Sequence, residues 1–128
     1  MQKILIIDDD IQTTKLLDLL LTERGYKTTS VNDSTLAIQA AKSTIPDLII
    51  LDLMMPEPDG FKVCRMLRED TQFIFTPILI VTALDDTDSK IVAFGAGADN
   101  YIIKPYDVDE LAETIELMLS DEESDGQT

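Results

Sequence analysis

The sequence predicts an α/β fold in a single domain: a doubly wound, five-stranded parallel sheet with five helices covering both faces. Three continuous apolar runs, at residues 3–7, 48–51 and 78–81, are short and rich in isoleucine and leucine, as strands buried on both faces are. Segments with helical periodicity fill the intervals between these runs. A length of 128 residues fits one compact domain with one core.

Two further strands complete the predicted sheet. Residues 27–31, Lys-Thr-Thr-Ser-Val, are more polar and indicate an edge strand, and residues 101–103, Tyr-Ile-Ile, indicate a short final strand. Because strands and helices alternate along the chain, the sheet must be parallel with right-handed crossovers. Sheets of this kind bind ligands beyond the carboxyl ends of their strands, where the strand order reverses.

The helices differ in how strongly the sequence marks them. The first and last have apolar residues at three- and four-residue spacing: Leu16, Leu17, Leu20 and Leu21, then Leu111, Ile115, Met118 and Leu119. Gly25 is expected to end the first helix, and Asp107 with Glu110 resembles a capping box at the start of the last. Weaker patterns predict the other helices near 34–43, 59–69 and 86–95.

The charge of the chain narrows the possible functions. The net charge is −15, all ten basic residues lie at or before Lys104, and nine acids with no base follow it. Direct nucleic-acid binding is therefore not expected, because phosphate contacts need clustered lysines and arginines. No apolar stretch approaches the roughly 18 residues of a membrane span. A signal peptide is not expected, because the N-terminus runs directly into the first strand. Membrane insertion is not expected either.

The single cysteine indicates the redox setting of the protein, and the composition of the last residues indicates where the domain ends. Cys64 lies among apolar residues and is predicted to be a packed thiol, which fits a reducing, cytoplasmic setting. Residues 1–119 form the predicted domain, and residues 120–128 are predicted to be an acidic, disordered tail. Such an ending suits a natural terminus as well as the start of a linker, and we favour a stand-alone protein.

Polar residues follow four of the five predicted strands. Asp8 and Asp9 follow the first strand, Asp52 the third, Thr82 the fourth and Lys104 the fifth. Taken alone, each has an ordinary explanation: the first acids can cap a helix, and the third can be a solvated loop acid. All five at matching strand ends indicate one site instead. Three carboxylates at one sheet edge cannot all stay ionised without a cation between them.

These residue types fit phosphoryl transfer with the help of a divalent cation. Mg²⁺ prefers oxygen ligands and keeps several waters, so we expect Asp9 and Asp52 to bind it directly and Asp8 to act through water. One carboxylate then remains partly free to attack phosphorus and form an acyl phosphate. The cation, Lys104 and the Thr82 hydroxyl are expected to share the added negative charge.

Four motifs make the chain similar to the receiver domains of the response-regulator family of two-component signalling. They are Ile-Leu-Ile-Ile-Asp-Asp-Asp at 4–10, Asp-Leu-Met-Met-Pro-Glu-Pro-Asp-Gly at 52–60, Val-Thr-Ala at 81–83 and Tyr-Ile-Ile-Lys-Pro at 101–105. The similarity covers about residues 2–119. It implies the flavodoxin-like strand order 2-1-3-4-5 and a phosphoprotein of signal transduction or phosphorelay. Such a protein is not an enzyme beyond its own phosphorylation and slow dephosphorylation.

The resemblance also implies a phosphoacceptor and its metal ligands. Asp52 would accept a phosphoryl group from a sensor histidine kinase or a histidine phosphotransfer protein, in a reaction that requires Mg²⁺ or Mn²⁺. Asp8, Asp9 and the backbone carbonyl of Met54 would complete the metal site. Met54 is apolar, as is Leu84 at the equivalent distance after Thr82, and this pair is expected to favour slow self-dephosphorylation.

The phosphoryl contacts and a conformational switch are implied in the same way. Lys104 and the backbone N–H of Ala83 would contact the phosphoryl group. Thr82 would move towards the phosphate and Tyr101 would turn inward, so that the surface of helix four, strand five and helix five changes its affinity for an output partner. The Lys104–Pro105 peptide is expected to be cis, against a base rate of about 5–6%. The acidic last helix argues against a homodimer that pairs basic with acidic residues across helices four and five.

Other functions remain open on the sequence alone. An aspartate-nucleophile phosphohydrolase carries an Asp-x-Asp-x-Thr motif, whereas Gln12 stands at the threonine position in this short chain. A flavin- or nucleotide-binding module needs a loop rich in glycine or hydroxyl groups after the first strand, where this chain has three acids. The receiver can also be a fragment of a larger DNA-binding or enzymatic regulator.

Overall fold

The computed structural model describes the side chains of residues 1–120 and the course of the last helix to residue 127. Its strands are β1 (Lys3–Ile7), β2 (Lys27–Val31), β3 (Leu48–Leu51), β4 (Ile78–Thr82) and β5 (Asn100–Ile103). All neighbouring strands are parallel and form one sheet in the order β2-β1-β3-β4-β5. The predicted order is therefore confirmed, with β2 at one edge and β3 at the centre.

Five helices alternate with the strands. They are α1 (Ile11–Glu23), α2 (Ala37–Thr44), α3 (Gly60–Glu69), α4 (Thr87–Gly95) and α5 (Val108–Gln127). Among the helices that the structure describes, none is both long and apolar enough to cross a membrane. Apart from Ser120, the predicted disordered tail at 120–128 lies outside the residues described with their side chains, so it stays a prediction.

Aspartates fix where four of the helices begin. The carboxylates of Asp10, Asp59, Asp86 and Asp107 each accept a hydrogen bond from a backbone N–H of the following first turn. Caps of this kind contribute about 1 kcal/mol each to helix stability. Because each cap follows a strand end, α1, α3, α4 and α5 all begin at the edge of the sheet where the polar residues cluster.

Strand residues alternate between two apolar layers, one on each side of the sheet. In β1, Leu5 and Ile7 pack with α2 and α3, whereas Ile4 and Ile6 pack with α1 and α5. All four of these side chains are almost completely buried. Burying an isoleucine or leucine contributes about 1.5–3 kcal/mol, so the two layers hold the strand register on which the polar edge depends.

The predicted buried face of α1 is partly wrong. Leu17 and Leu21 are buried as expected, but Leu16 is 49% exposed and Thr14 takes the inner position one turn earlier. The Thr14 hydroxyl donates to the Ile11 carbonyl and accepts from the Asn32 side chain, so its burial leaves no unmatched polar group. Because Thr14 is polar, the apolar pattern of the sequence did not show that it belongs to the buried face of α1.

Two peptide bonds that precede prolines are cis. The Lys104–Pro105 bond is cis, as the resemblance implied, and it lies directly after β5. The Glu57–Pro58 bond is also cis, in the loop between β3 and α3. Nothing in the sequence distinguished the second bond from an ordinary one.

Cys64 is completely buried in the layer formed with α2 and α3, which confirms the packed thiol. Burial raises the pKa of this thiol from 9.0 to about 11. We therefore expect alkylation of the native protein at pH 8 to be at least about a hundredfold slower than alkylation in denaturant, because only the thiolate reacts. Intact mass after timed iodoacetamide treatment measures both rates.

The same shift makes stability depend on pH. The unfolded chain releases the thiol proton near pH 9 and the folded chain near pH 11, so the free energy of unfolding should fall as pH rises through this window. Urea titrations should show a smaller fall for Cys64→Ala. An identical fall in both proteins, or rapid native alkylation, would contradict the burial of Cys64.

Candidate functional site

Three carboxylates meet at the carboxyl edge of the sheet. Ile7 of β1 pairs with Leu51 of β3, so the residues that follow them, Asp8 and Asp52, lie side by side. An oxygen of Asp8, one of Asp9 and one of Asp52 all lie within 4.8 Å of one another. The predicted convergence of these acids is therefore present. Asp8 is 3% exposed and Asp52 is 6% exposed, whereas Asp9 faces solvent.

Lys104 bridges the two buried acids. Its Nζ lies 2.8 Å from Oδ2 of Asp8 and 3.0 Å from Oδ2 of Asp52. Burial lowers the pKa of this ammonium, but the hydrogen bonds to Asp8 and Asp52 outweigh that effect and raise it. Lys104 is therefore held as a cation between two carboxylates, a pairing that the sequence did not predict.

The second oxygen of each buried acid is held by the backbone. Oδ1 of Asp8 accepts from the N–H of Asp10 at 2.9 Å, and Oδ1 of Asp52 accepts from the N–H of Met54 at 3.0 Å. Each carboxylate is thus oriented by one main-chain donor and by Lys104. Burial raises the pKa of Asp8, and the hydrogen bond from Lys104 opposes this rise.

The donor set fits a hard divalent cation. Carboxylate oxygens are the ligands that Mg²⁺ and Mn²⁺ prefer, and the cluster offers three within a space of the right size. Among the residues described with their side chains, one ammonium, that of Lys104, forms ion pairs with these carboxylates. A cation bound at Asp8, Asp9 and Asp52 would offset the remaining negative charge.

Thr82 and Tyr101 are joined through one loop residue. Thr82 is completely buried at the end of β4, and its Oγ1 lies 3.5 Å from the backbone N of Leu84. The Tyr101 hydroxyl donates to the Leu84 carbonyl at 2.7 Å. The sequence named both Thr82 and Tyr101 but missed Leu84 as the link between them. Ala83, the predicted backbone donor, is exposed beside this link.

Asn32 supports the turn that carries Asp8. Its side-chain amide donates to the Asp8 carbonyl at 2.9 Å and to Thr14 Oγ1 at 3.0 Å. These bonds tie the end of β2 to the turn between β1 and α1. Sequence reasoning missed this residue, and its position directly after the edge strand was the only available signal.

Gly60 allows α3 to approach the loop that carries Asp52. A Cβ atom at this position would lie 2.1 Å from the Asp52 carbonyl oxygen and 2.5 Å from Leu53 Cα. The Gly60 N–H also donates to the Leu53 carbonyl at 3.1 Å. Only glycine fits between these backbone atoms, which explains why Asp-Gly at 59–60 belongs to the motif that begins at Asp52.

Comparison with known families identifies the domain. The response regulator receiver domain family matches residues 4–116. The chain belongs to this family. Its receiver fold places the acids and Lys104 at one edge, as the motifs at 4–10, 52–60 and 101–105 indicated.

Curated relatives of this receiver domain include transcriptional regulators. The DNA-binding dual master transcriptional regulator RpaA of Synechocystis sp. is 41% identical over 119 residues, which cover 93% of this chain and 49% of RpaA. The DNA-binding response regulator MtrA of Mycobacterium tuberculosis is 38% identical over 118 residues, which cover 92% of this chain and 50% of MtrA. The chain spans about half the length of the curated relatives it matches.

Solved receiver structures have the same fold over nearly the whole chain. The chemotaxis protein CheY4 of Vibrio cholerae superposes with a TM-score of 0.87 at 30% identity, covering 92% of this chain and 98% of CheY4. A putative response regulator from Chloroflexus aurantiacus superposes with a TM-score of 0.88 at 33% identity, covering 93% and 98% of the two chains.

Gly60→Ala is expected to disrupt the loop that carries Asp52. The new Cβ would collide with backbone atoms, so the loop or α3 must move, at a cost of about 3 kcal/mol. Gly95→Ala is the matched control, because nothing lies within 4 Å of its Cβ position. It should be neutral or stabilising by about 0.4–1 kcal/mol. Urea unfolding compares the two, and similar effects would contradict the close approach at Gly60.

Mg²⁺ is expected to stabilise the wild-type chain against heat. At ten times its dissociation constant it adds about 1.4 kcal/mol to the free energy of unfolding, which corresponds to a rise of roughly 5 °C in the thermal midpoint. Asp9→Asn should lose most of this rise, whereas Glu69→Gln, an equal charge change on α3, should keep it. Equal Mg²⁺ effects in both variants would show that the cation does not bind at the cluster.

Proposed function

We propose that this receiver domain accepts a phosphoryl group on Asp52, in a reaction that depends on Mg²⁺ or Mn²⁺. One observation carries the proposal: three carboxylates converge within 4.8 Å, and Lys104 contacts Asp52 directly. The phosphoryl donor would be a sensor histidine kinase or a histidine phosphotransfer protein, as expected for a response regulator. Small acyl phosphates carry the same group at high energy and can replace these donors in a test.

The position of Asp52 favours it as the nucleophile over the two neighbouring acids. It follows β3, the central strand, so a phosphoryl group attached to it lies between the acids after β1 and Thr82 at the end of β4. Asp8 follows β1, which is separated from β4 by β3, so a phosphoryl group on Asp8 would lie farther from Thr82. Asp9 also follows β1 and is exposed to solvent.

The proposed reaction transfers a phosphoryl group from the donor to the carboxylate of Asp52. An Asp52 oxygen attacks phosphorus, the bond from phosphorus to the donor nitrogen or oxygen breaks, and the leaving group keeps the electron pair. Lys104 changes partner during this step, because its ammonium can follow negative charge from the Asp52 carboxylate to the phosphoryl oxygens. A bound Mg²⁺ would supply further charge neutralisation at those oxygens. The N–H of Ala83 would be an additional donor.

The switch would run through Leu84. Thr82 Oγ1 is close to the Leu84 N–H, and the Tyr101 hydroxyl binds the Leu84 carbonyl. A phosphoryl group that draws the Thr82 hydroxyl towards itself changes the loop to which Tyr101 is attached. The surface of α4, β5 and α5 then shifts between two states with different partner affinity. Apolar Met54 and Leu84 would limit water access and lengthen the life of the acyl phosphate.

The role of the complete protein depends on whether a further domain accompanies this receiver domain. RpaA and MtrA are DNA-binding regulators about twice as long as this chain. A receiver that controls a DNA-binding segment is therefore the second candidate, beside a stand-alone cytoplasmic regulator. In either case DNA contacts would lie outside this acidic domain, whose net charge is −15.

Intact mass after incubation with acetyl phosphate tests the proposed acceptor. Wild type should gain a single phosphoryl adduct in the presence of Mg²⁺ and none when the metal is chelated. Asp52→Asn should remain unmodified, because its amide is a poor nucleophile. Glu69→Gln, an equal charge change outside the site, should be modified like wild type.

The outcomes separate the proposal from its competitors. An adduct that forms equally in Asp52→Asn would place the acceptor on another residue. No adduct in wild type at any Mg²⁺ concentration would mean that the acidic edge binds a cation without accepting phosphate. Rapid release of inorganic phosphate with no adduct would favour phosphohydrolase activity.

A further inference from the structure

The surface around Tyr101 exposes apolar side chains that no described residue covers. Ile91 on α4 is 63% exposed and Leu117 on α5 is 57% exposed. Phe94, one turn after Ile91, is also exposed, and its ring centroid lies 6.2 Å from that of Tyr101. We call the surface formed by Ile91, Phe94, Tyr101 and Leu117 the Tyr101 face.

The orientation of α5 determines which of its residues border this face. Ala112 and Glu116 line a groove with Arg24 and Tyr26, so that flank of α5 faces α1 and β2. Residues on the opposite flank therefore border β5 and α4, because helical side chains about 100° apart point to successive sides. This flank carries Thr114 and Met118, and Glu110 and Leu117 lie next to them on the exposed side of the helix.

Negative charge surrounds the apolar centre. Asp85 and Asp86 are exposed and directly follow Leu84, whose carbonyl accepts the hydrogen bond of the Tyr101 hydroxyl. Glu110 and Glu113 are exposed on α5, and the described part of that helix contains no basic residue. The described residues of α4 contribute one base, Lys90, whose Nζ lies 5.9 Å from the centre of the Tyr101 ring.

We propose that the Tyr101 face binds a cationic amphipathic helix of a partner protein, not a second copy of this chain. This rests on the proposed function and names the chemistry of its output partner. A helix with leucine or isoleucine on one stripe and lysine or arginine on both sides of it matches the apolar centre and its acidic rim. Two copies of the same face would instead oppose acid to acid, which disfavours symmetric association.

Phosphorylation reaches this face through Leu84. The Leu84 carbonyl holds Tyr101, and Leu84 N–H approaches Thr82 at the site. A change in the loop at Leu84 moves the aromatic ring at the centre of the face. Affinity for the cationic helix therefore depends on the phosphorylation of Asp52.

A designed peptide tests the proposed chemistry without knowledge of the natural partner. The probe is a labelled amphipathic peptide of leucine and lysine, about 18 residues long so that it can form a helix. Fluorescence anisotropy measures its affinity for the full chain before and after treatment with acetyl phosphate and Mg²⁺. Intact mass of the same samples records how much protein is phosphorylated. A leucine–glutamate peptide of equal length is the control probe.

Matched variants distinguish this face from the general negative charge of the protein. Glu110→Lys with Glu113→Lys should weaken binding about tenfold, whereas Glu23→Lys with Glu69→Lys, an equal charge change elsewhere, should weaken it less than about threefold. Ile91→Ser with Leu117→Ser removes the apolar centre and should also weaken binding. Its control is Ile11→Ser with Leu19→Ser on α1, where the side chains are 54% and 56% exposed.

Each outcome either supports or overturns the inference. Tighter binding to the phosphorylated protein that is lost in the face variants alone supports it. A confirmed adduct with no peptide binding, or with equal losses in face and control variants, overturns the inference and leaves the proposed function intact. Dimerisation of the phosphorylated chain in sedimentation velocity, abolished by Ile91→Ser with Leu117→Ser, also overturns it. Failure to form the adduct overturns both.

Discussion

The alignment of β1 with β3 imposes the electrostatic constraint on which the rest of the structure depends. Pairing Ile7 with Leu51 buries two apolar strands in register, and the next residue of each strand is then a buried aspartate. Two such carboxylates side by side are stable only with a positive charge close by. Lys104 supplies that charge in this structure, with Nζ within 3.0 Å of both carboxylates.

This arrangement connects the proposed phosphorylation site to the proposed partner surface through one short strand. Tyr101 lies within β5 and Lys104 follows its last residue, so the same strand carries a residue of the Tyr101 face and the cation of the site. A phosphoryl group on Asp52 would attract the Lys104 ammonium, which follows β5, and the Thr82 hydroxyl at the end of β4. Both changes act on the segment that holds Tyr101 through Leu84. Only a few residues along the chain therefore separate Lys104 in the site from Tyr101 on the partner surface.

The sequence predicted the parts of the site that depend on strand ends. Continuous apolar runs marked β1, β3 and β4, and the polar residue after each run was necessarily at the carboxyl edge of a parallel sheet. Asp8, Asp52 and Thr82 could be located in this way because strand direction fixes their position whatever the details of packing. The motif after β5 similarly identified Lys104 and its cis peptide bond.

Other features depend on contacts between distant segments, which local patterns do not encode. The link from Thr82 to Tyr101 passes through a carbonyl of Leu84, a group that every residue possesses. The need for Gly60 arises from backbone atoms of Asp52 and Leu53 in another loop. The phase of α1 was misjudged because Thr14 is buried with hydrogen bonds from Asn32.

Chemical trapping of the acyl phosphate tests the central claim, that the charge-compensated edge of the sheet makes Asp52 the phosphoacceptor. Borohydride reduces an aspartyl phosphate to homoserine and leaves a free carboxylate unchanged, so peptide sequencing by mass spectrometry locates the modified residue in the wild-type chain. The account predicts homoserine at position 52 alone, and only after phosphorylation in the presence of Mg²⁺. Homoserine at position 8 or 9, or its absence from a protein that carries the phosphoryl adduct, would contradict it.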